Sequence, residues 1–153
     1  MDNRRFKKDN LEEAVLDLRR VTRVMAGGKR MRFRATMVVG DLKGKVGVGV
    51  AKGLDVEQAI TKARLKAQKN MVEVHMKDKS IPHEVWAKFG AAQVLIKPAV
   101  PGHGLVAGGS PRIVLKLAGI QDVTAKCLGT TKNKLNFAIS TINALNKLKP
   151  AKS

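Results

Sequence analysis

The stretch KRMRFRATMVVGDLKGKVGVGVAKG, Lys29 to Gly53, decides the fold of this chain, because alternating cations run straight into a strand, a turn and a second strand. Arg30, Arg32 and Arg34 recur at period two. An extended backbone therefore sets them on one face and turns Met31, Phe33 and Ala35 to the other. The spacing predicts a cationic face for phosphate and an apolar face for a core. Asp41, Leu42, Lys43 and Gly44 supply the turn between Met37–Gly40 and Lys45–Val50. In the second strand Val46, Val48 and Val50 alternate with Gly47, Gly49 and Ala51, and a face almost bare of side chains lets another backbone come close.

Working outward, Asn10–Val24 reads two ways. Asn10 with Glu13 imitates a helix-capping pair, while Leu16, Leu18, Arg20, Thr22 and Val24 alternate as a strand; the strand, from about Val15, fits the neighbouring hairpin better. Met25–Lys29, with Gly27 and Gly28, is then a loop between two strands. Downstream, Asp55 and Gln58 open a helix in which Val56, Ala59, Ile60, Ala63, Ala67 and Met71 share a face, and Lys62, Lys66 and Lys69 line its solvent side. The polar, proline-containing stretch DKSIPH, Asp78–His83, marks a domain boundary. Beyond it the pattern predicts strands over Glu84–Phe89 and Gln93–Ala99 and a glycine-rich connection PGHGLVAGGSPR over Pro101–Arg112. A short helix over Ile113–Ala118 closed by Gly119, a strand over Asp122–Leu128 and a helix over Lys134–Leu148 follow. Lys149–Ser153 reads as frayed.

The 153 residues carry 30 Lys plus Arg against 12 Asp plus Glu, net +18, which fits a polyanionic partner. Both halves share the excess: net +10 before Ile81 and net +8 from there on. With 44% hydrophobic residues the chain has material for a core, so it is not a basic tail. No apolar run approaches the roughly 20 residues that span a bilayer, and the opening MDNRRFKKDN lacks a signal-peptide core, so a cytoplasmic protein without membrane association is expected. A single cysteine, Cys127, excludes an internal disulfide framework and reads as core filler.

Catalysis and cofactors have little to work with. Gly47, Gly49 and Gly53 miss the dinucleotide spacing and sit in a strand. Gly102–Ser110 precedes a helix but lacks a following lysine of the phosphate-loop kind. Residues 81–153 hold only Glu84 and Asp122 as carboxylates, too few for metal-assisted phosphoryl transfer. His75, His83 and His103 lack metal-ligand spacing. No catalytic residue, metal or cofactor is expected. At 3% aromatics with no tyrosine, base stacking is disfavoured, and recognition of phosphates and 2′-hydroxyls on folded RNA remains.

The run GGKRMRFRATMVVGDLKGKVGVGVAKG with the helix after it resembles the bacterial small-ribosomal-subunit protein five family. So does the region IPHEVWAKFGAAQVLIKPAVPGHGLVAGGSPRIVLKLAGIQDVTAKCLGTTKNKLNFAISTINAL, which is similar to that family's second domain. The resemblance implies an α+β fold in two domains. The first, residues 15–78 after a basic segment 1–14, would be a double-stranded-RNA-binding-like βββα unit. The second, residues 79–149 before a tail 150–153, would be a ββαβα unit with a left-handed crossover. It also implies a structural, non-enzymatic role in the small ribosomal subunit near the head–body junction. There the family binds ribosomal RNA beside the fourth and eighth small-subunit proteins and supports assembly, decoding accuracy and messenger entry.

Carried onto this chain, the RNA-binding set is Arg19, Arg20, Arg23, Gly27, Gly28, Lys29, Arg30, Arg32, Arg34, Lys43, Lys45, Lys52, Lys62, Lys66 and Lys69. Gly108, Gly109 and Arg112 would meet the fourth-protein neighbour. Ala26 departs from the lysine or glutamine of many relatives at the loop tip. The chain also stops soon after Leu148 where many relatives continue, which leaves tail contacts with the eighth protein out of the expectation. Two other readings compete: a small phosphate-substrate enzyme using Gly102–Ser110, and a double-stranded-RNA binder acting away from the ribosome.

Overall fold

The computed structural model describes residues 11–150 and orders them as β1 (Glu12–Met25), β2 (Gly28–Gly40), β3 (Lys45–Gly53), α1 (Val56–Lys69), β4 (Val72–Glu73), β5 (Val85–Phe89), β6 (Ala92–Pro98), β7 (Leu105–Val106), α2 (Gly109–Ala118), β8 (Val123–Cys127) and α3 (Lys134–Asn146). The first sheet is antiparallel with order β1-β2-β3-β4; the second has order β5-β6-β8-β7, with β7 parallel to β8. The two-domain α+β class holds.

The glycine face of β3 sets the first layer. A Cβ on Gly47 would lie 2.3 Å from the Ala67 carbonyl oxygen, and one on Gly49 2.2 Å from that of Ala63. Helix α1 therefore rests directly on the strand, and Ala59, Ala63 and Ala67, the small residues it presents, are fully buried. Large side chains on either surface would push the two apart. Asp55 is the N-cap as expected, but its side chain makes no capping hydrogen bond.

The valine face of the same sheet supplies the second layer, and here the two parts of the chain share one core. Leu16, Val38, Val46, Val48 and Val74 belong to one buried cluster with Ile96, Val114, Leu115, Leu145 and other residues of the second domain. The turn after β2 is tied to the end of α2: the Leu42 and Gly44 N–H groups donate to the Leu117 and Ala118 carbonyls at 3.1 and 2.9 Å. Gly40 and Gly119 each bring backbone to backbone across this seam. The segment from Asp78 to His83 is held as well, since the Lys79 carbonyl accepts from the Gln121 and Asp122 N–H groups. It connects two units that share a core.

Several boundaries shift for identifiable reasons. β1 begins at Glu12, not Val15, so the basic segment expected over 1–14 yields its last residues to the sheet; residues 1–10 lie outside the described part. A bulge between Val15 and Asp17 breaks the alternation. It sends Leu16 into the core shared with the second domain while Leu18 stays exposed. The loop expected over Met25–Lys29 shrinks to a two-residue turn, Ala26-Gly27. Strands β4 and β7, two residues each, lie outside the expected elements, and α2 starts at Gly109 rather than Ile113. Gly119, at φ 88°, ends α2 as predicted. Lys149 is not frayed: its N–H donates to His83 Nε2 at 3.1 Å, and Leu148 before it is buried.

Candidate nucleic-acid interface

Beyond the pair Phe33–Gly53, β3 ends and β1–β2 continue alone as an arm, Val21–Arg32, turning at Ala26-Gly27. Five cross-strand pairs carry it roughly 17 Å past the sheet. Antiparallel register decides which cations share a face, because directly opposed residues point the same way. The pairs Arg19↔Arg34, Val21↔Arg32 and Arg23↔Arg30, continued by Arg34↔Lys52, gather Arg19, Arg23, Arg30, Arg32, Arg34 and Lys52 on one surface. A shallow hollow of about 240 Å³ is lined there by Val21, Thr22, Arg23, Met25, Arg30, Arg32 and Lys52.

Like charges face each other in three of these pairs, an arrangement that weakens a hairpin unless an anion lies between them. Among the described residues the one carboxylate engaged with the set is Asp17, 2.6 Å from Arg19. Arginine suits such a face, since its planar fork grips phosphate oxygens in pairs and keeps its charge at any relevant pH.

The expectation that the opposite face would be core holds only in part. Phe33 is half-buried and Ala35 buried beneath α1, but Met31 is exposed and Val24 is 76% exposed. Arg20 and Lys29 lie on this second face, paired with Phe33 and Val24. Arg23 and Lys29 thus point away from each other. The cationic face is the one continuous with the valine face that packs on the second domain, and Arg34 and Thr36 border Asn133 and Leu135 at the start of α3.

The remaining predicted cations do not join this surface. Lys43 and Lys45 lie on the turn at the far end of the sheet, where Asp41 Oδ1 accepts from both of their N–H groups at 2.8 Å. Lys62, Lys66 and Lys69 are exposed on α1, on the flank away from Arg64, which pairs with Glu13 of β1 at 3.0 Å. Gly27 and Gly28, both at positive φ with open space around them, form the arm's tip. Gly108, Gly109 and Arg112 are exposed at the start of α2.

The glycine-rich connection is built for its own support. Asp122, 7% exposed, accepts from the Gly102 and Gly104 N–H groups at 3.1 and 2.9 Å, so a carboxylate of the chain itself pins the first turn of the loop. Thr124 Oγ1 contacts His103 Nε2 at 3.2 Å. Cys127 packs against the core, and burial pushes its thiol above the usual range while Lys126 pulls it down less strongly. No group of three or more potential metal ligands occurs among the described residues. No described helix is long and apolar enough to cross a membrane.

A rigid body that extends an arginine-faced ribbon defines a protein that binds polyanions rather than one that transforms a substrate. The family model described as ribosomal protein S5, N-terminal domain, matches residues 11–75, and the model for the C-terminal domain of the same protein matches residues 87–153. The chain belongs to the ribosomal protein S5 family, structural RNA-binding proteins of the small ribosomal subunit and not enzymes.

Proposed function

We propose that this chain binds small-subunit ribosomal RNA at the head–body junction through the arm, with Arg19, Arg23, Arg30, Arg32, Arg34 and Lys52 on phosphates. On this reading Arg20, Lys29, Gly27 and Gly28 meet the RNA at the other face and the tip. The opposed like-charge pairs carry the proposal: a two-stranded ribbon held together across Arg23↔Arg30 and Arg19↔Arg34 is completed by an anion on that face. Lys62, Lys66 and Lys69 on α1, with Lys43 and Lys45 at the far turn, make separate contacts to neighbouring RNA segments. Gly108, Gly109 and Arg112 face the fourth small-subunit protein, and the eighth lies nearby. By wedging folded RNA in place, the protein supports assembly, decoding accuracy and messenger entry in the cytoplasm.

The chain is expected to comigrate with small subunits through a sucrose gradient in moderate salt. Recovery in free fractions alone would refute the proposal. Against the enzyme reading, Asp122 takes two of the N–H groups of the Gly102–Ser110 loop, those of Gly102 and Gly104, and the family is not enzymatic.

A further inference from the structure

The stretch that joins the two units turns back on itself, Lys77 and Ser80 exchanging backbone hydrogen bonds at 3.0 and 2.9 Å. Between this turn and the segment Pro98–Pro101 lies a cavity of about 440 Å³. Ile81, Pro82, Pro98 and Pro101 give it a stiff apolar wall, and Asp78, Ser80 and Asp122 bring oxygen atoms to it. Ser80 Oγ is the one buried side-chain nitrogen or oxygen among the described residues that has no hydrogen-bond partner. Such an atom in a native fold calls for an explanation. Asp122 is 7% exposed, and the Gly102 and Gly104 N–H groups both use its Oδ1, which leaves Oδ2 without a hydrogen bond among the described residues. Neither Asp78 nor Asp122 forms an ion pair there.

We propose that this cavity binds a small aliphatic diamine, with its ammonium groups on Asp78 and Asp122 and its methylene chain against the prolines. The unsatisfied atoms decide the sign of the ligand. Asp78 and Asp122 Oδ2 only accept hydrogen bonds and Ser80 Oγ accepts as readily as it donates, so their complement is a positively charged donor. Lys77 and Lys79 also line the cavity, but both are exposed, pair with neither carboxylate, and have long stems that keep their ammonium groups in water. A bare metal ion fits less well, because hard cations take six or more oxygen ligands and no group of three potential ligands occurs among the described residues. The volume lies within the range of small-molecule sites. The ligand also reaches the glycine-rich loop, since the carboxylate that holds it holds Gly102 and Gly104. None of the arm's arginines takes part, so the site is independent of RNA.

The test titrates the purified, RNA-free full chain, carrying isotope-labelled glycine, with 1,5-diaminopentane and follows the backbone amide signals by nuclear magnetic resonance. Net charge +18 disfavours nonspecific uptake of a dication, so a saturating response reports this site. The Gly102 and Gly104 signals should shift and saturate below about 10 mM, as a ligand of so few atoms allows, while Gly47 and Gly49 stay in place and report the fold. Asp78→Asn and Ser80→Ala should each weaken binding about three- to fivefold, the loss of one partly exposed ion pair or one hydrogen bond. Pentylamine, with one ammonium group, should bind about fivefold more weakly than the diamine, a comparison that needs no variant to fold. Gly102 and Gly104 signals that stay still, that move equally with 1,5-pentanediol or with sodium chloride at matched ionic strength, or that respond alike to pentylamine and the diamine would each overturn the proposal. So would unchanged affinity in both variants.

Discussion

At single residues, the glycines of β3 do the work that the sequence pattern assigned to them. An added Cβ at Gly49 would meet the Ala63 carbonyl oxygen at 2.2 Å and the Ala67 nitrogen at 2.4 Å, and neither can yield without moving α1. Gly49→Ala is expected to destabilise the protein by about 3 kcal/mol, lowering its melting temperature by roughly 6–12 °C. Calorimetry checks this, and an unchanged melting temperature would mean that α1 does not sit on β3 as described. Gly27, with open space at the arm tip, shows the other use of glycine: only its φ of 87° matters there. The face of Gly47 and Gly49 was legible because period two is visible in any strand. The Asp122 contacts were not, since they join residues 18 and 20 positions apart and no local spacing signals them.

At the level of elements, the arm is the part of the first sheet that β3 does not support. Isolated two-stranded ribbons are marginal in water, so the arm adds little to global stability and most of its value lies in contact. Replacing Thr22–Met31 by a tight turn should leave the melting temperature within about 2 °C, because no core residue is removed. Comigration with small subunits should fall sharply. A large loss of stability would place the arm in the core and contradict its role. The strands and α1 were readable because each is long enough to show its period. Strands β4 and β7, with two residues each, carry no period, and β1 hid its start behind the bulge at Leu16. Sequence also set the arginines on one face correctly, but it could not say that this face continues toward the second domain, because cross-strand partners and layer order are tertiary facts.

For the whole molecule, the boundary at Asp78–His83 separates two family domains but not two cores. Val38, Val46 and Val48 pack with residues of α2, α3 and the second sheet, and backbone hydrogen bonds tie the β2–β3 turn to the end of α2. Thermal unfolding should therefore show one transition, with equal calorimetric and van't Hoff enthalpies. Two resolved transitions would show that the modules melt apart. A shared core of this kind fits the proposed wedge role, because it ties the base of the arm to the second domain. Composition had announced the cations, but their division into an arginine face, a lysine flank on α1 and a far turn emerges only from the fold.

The central claim is that the arm's arginine face neutralises phosphates of small-subunit ribosomal RNA. The most direct measurement is the salt dependence of binding to that RNA, for the full chain and for a variant combining Arg23→Ala, Arg30→Ala and Arg32→Ala. The account predicts that the slope of log K against log salt falls in magnitude by roughly 2–3 in the variant, as the loss of three phosphate contacts requires. Identical slopes for the two proteins, each folded, would contradict it.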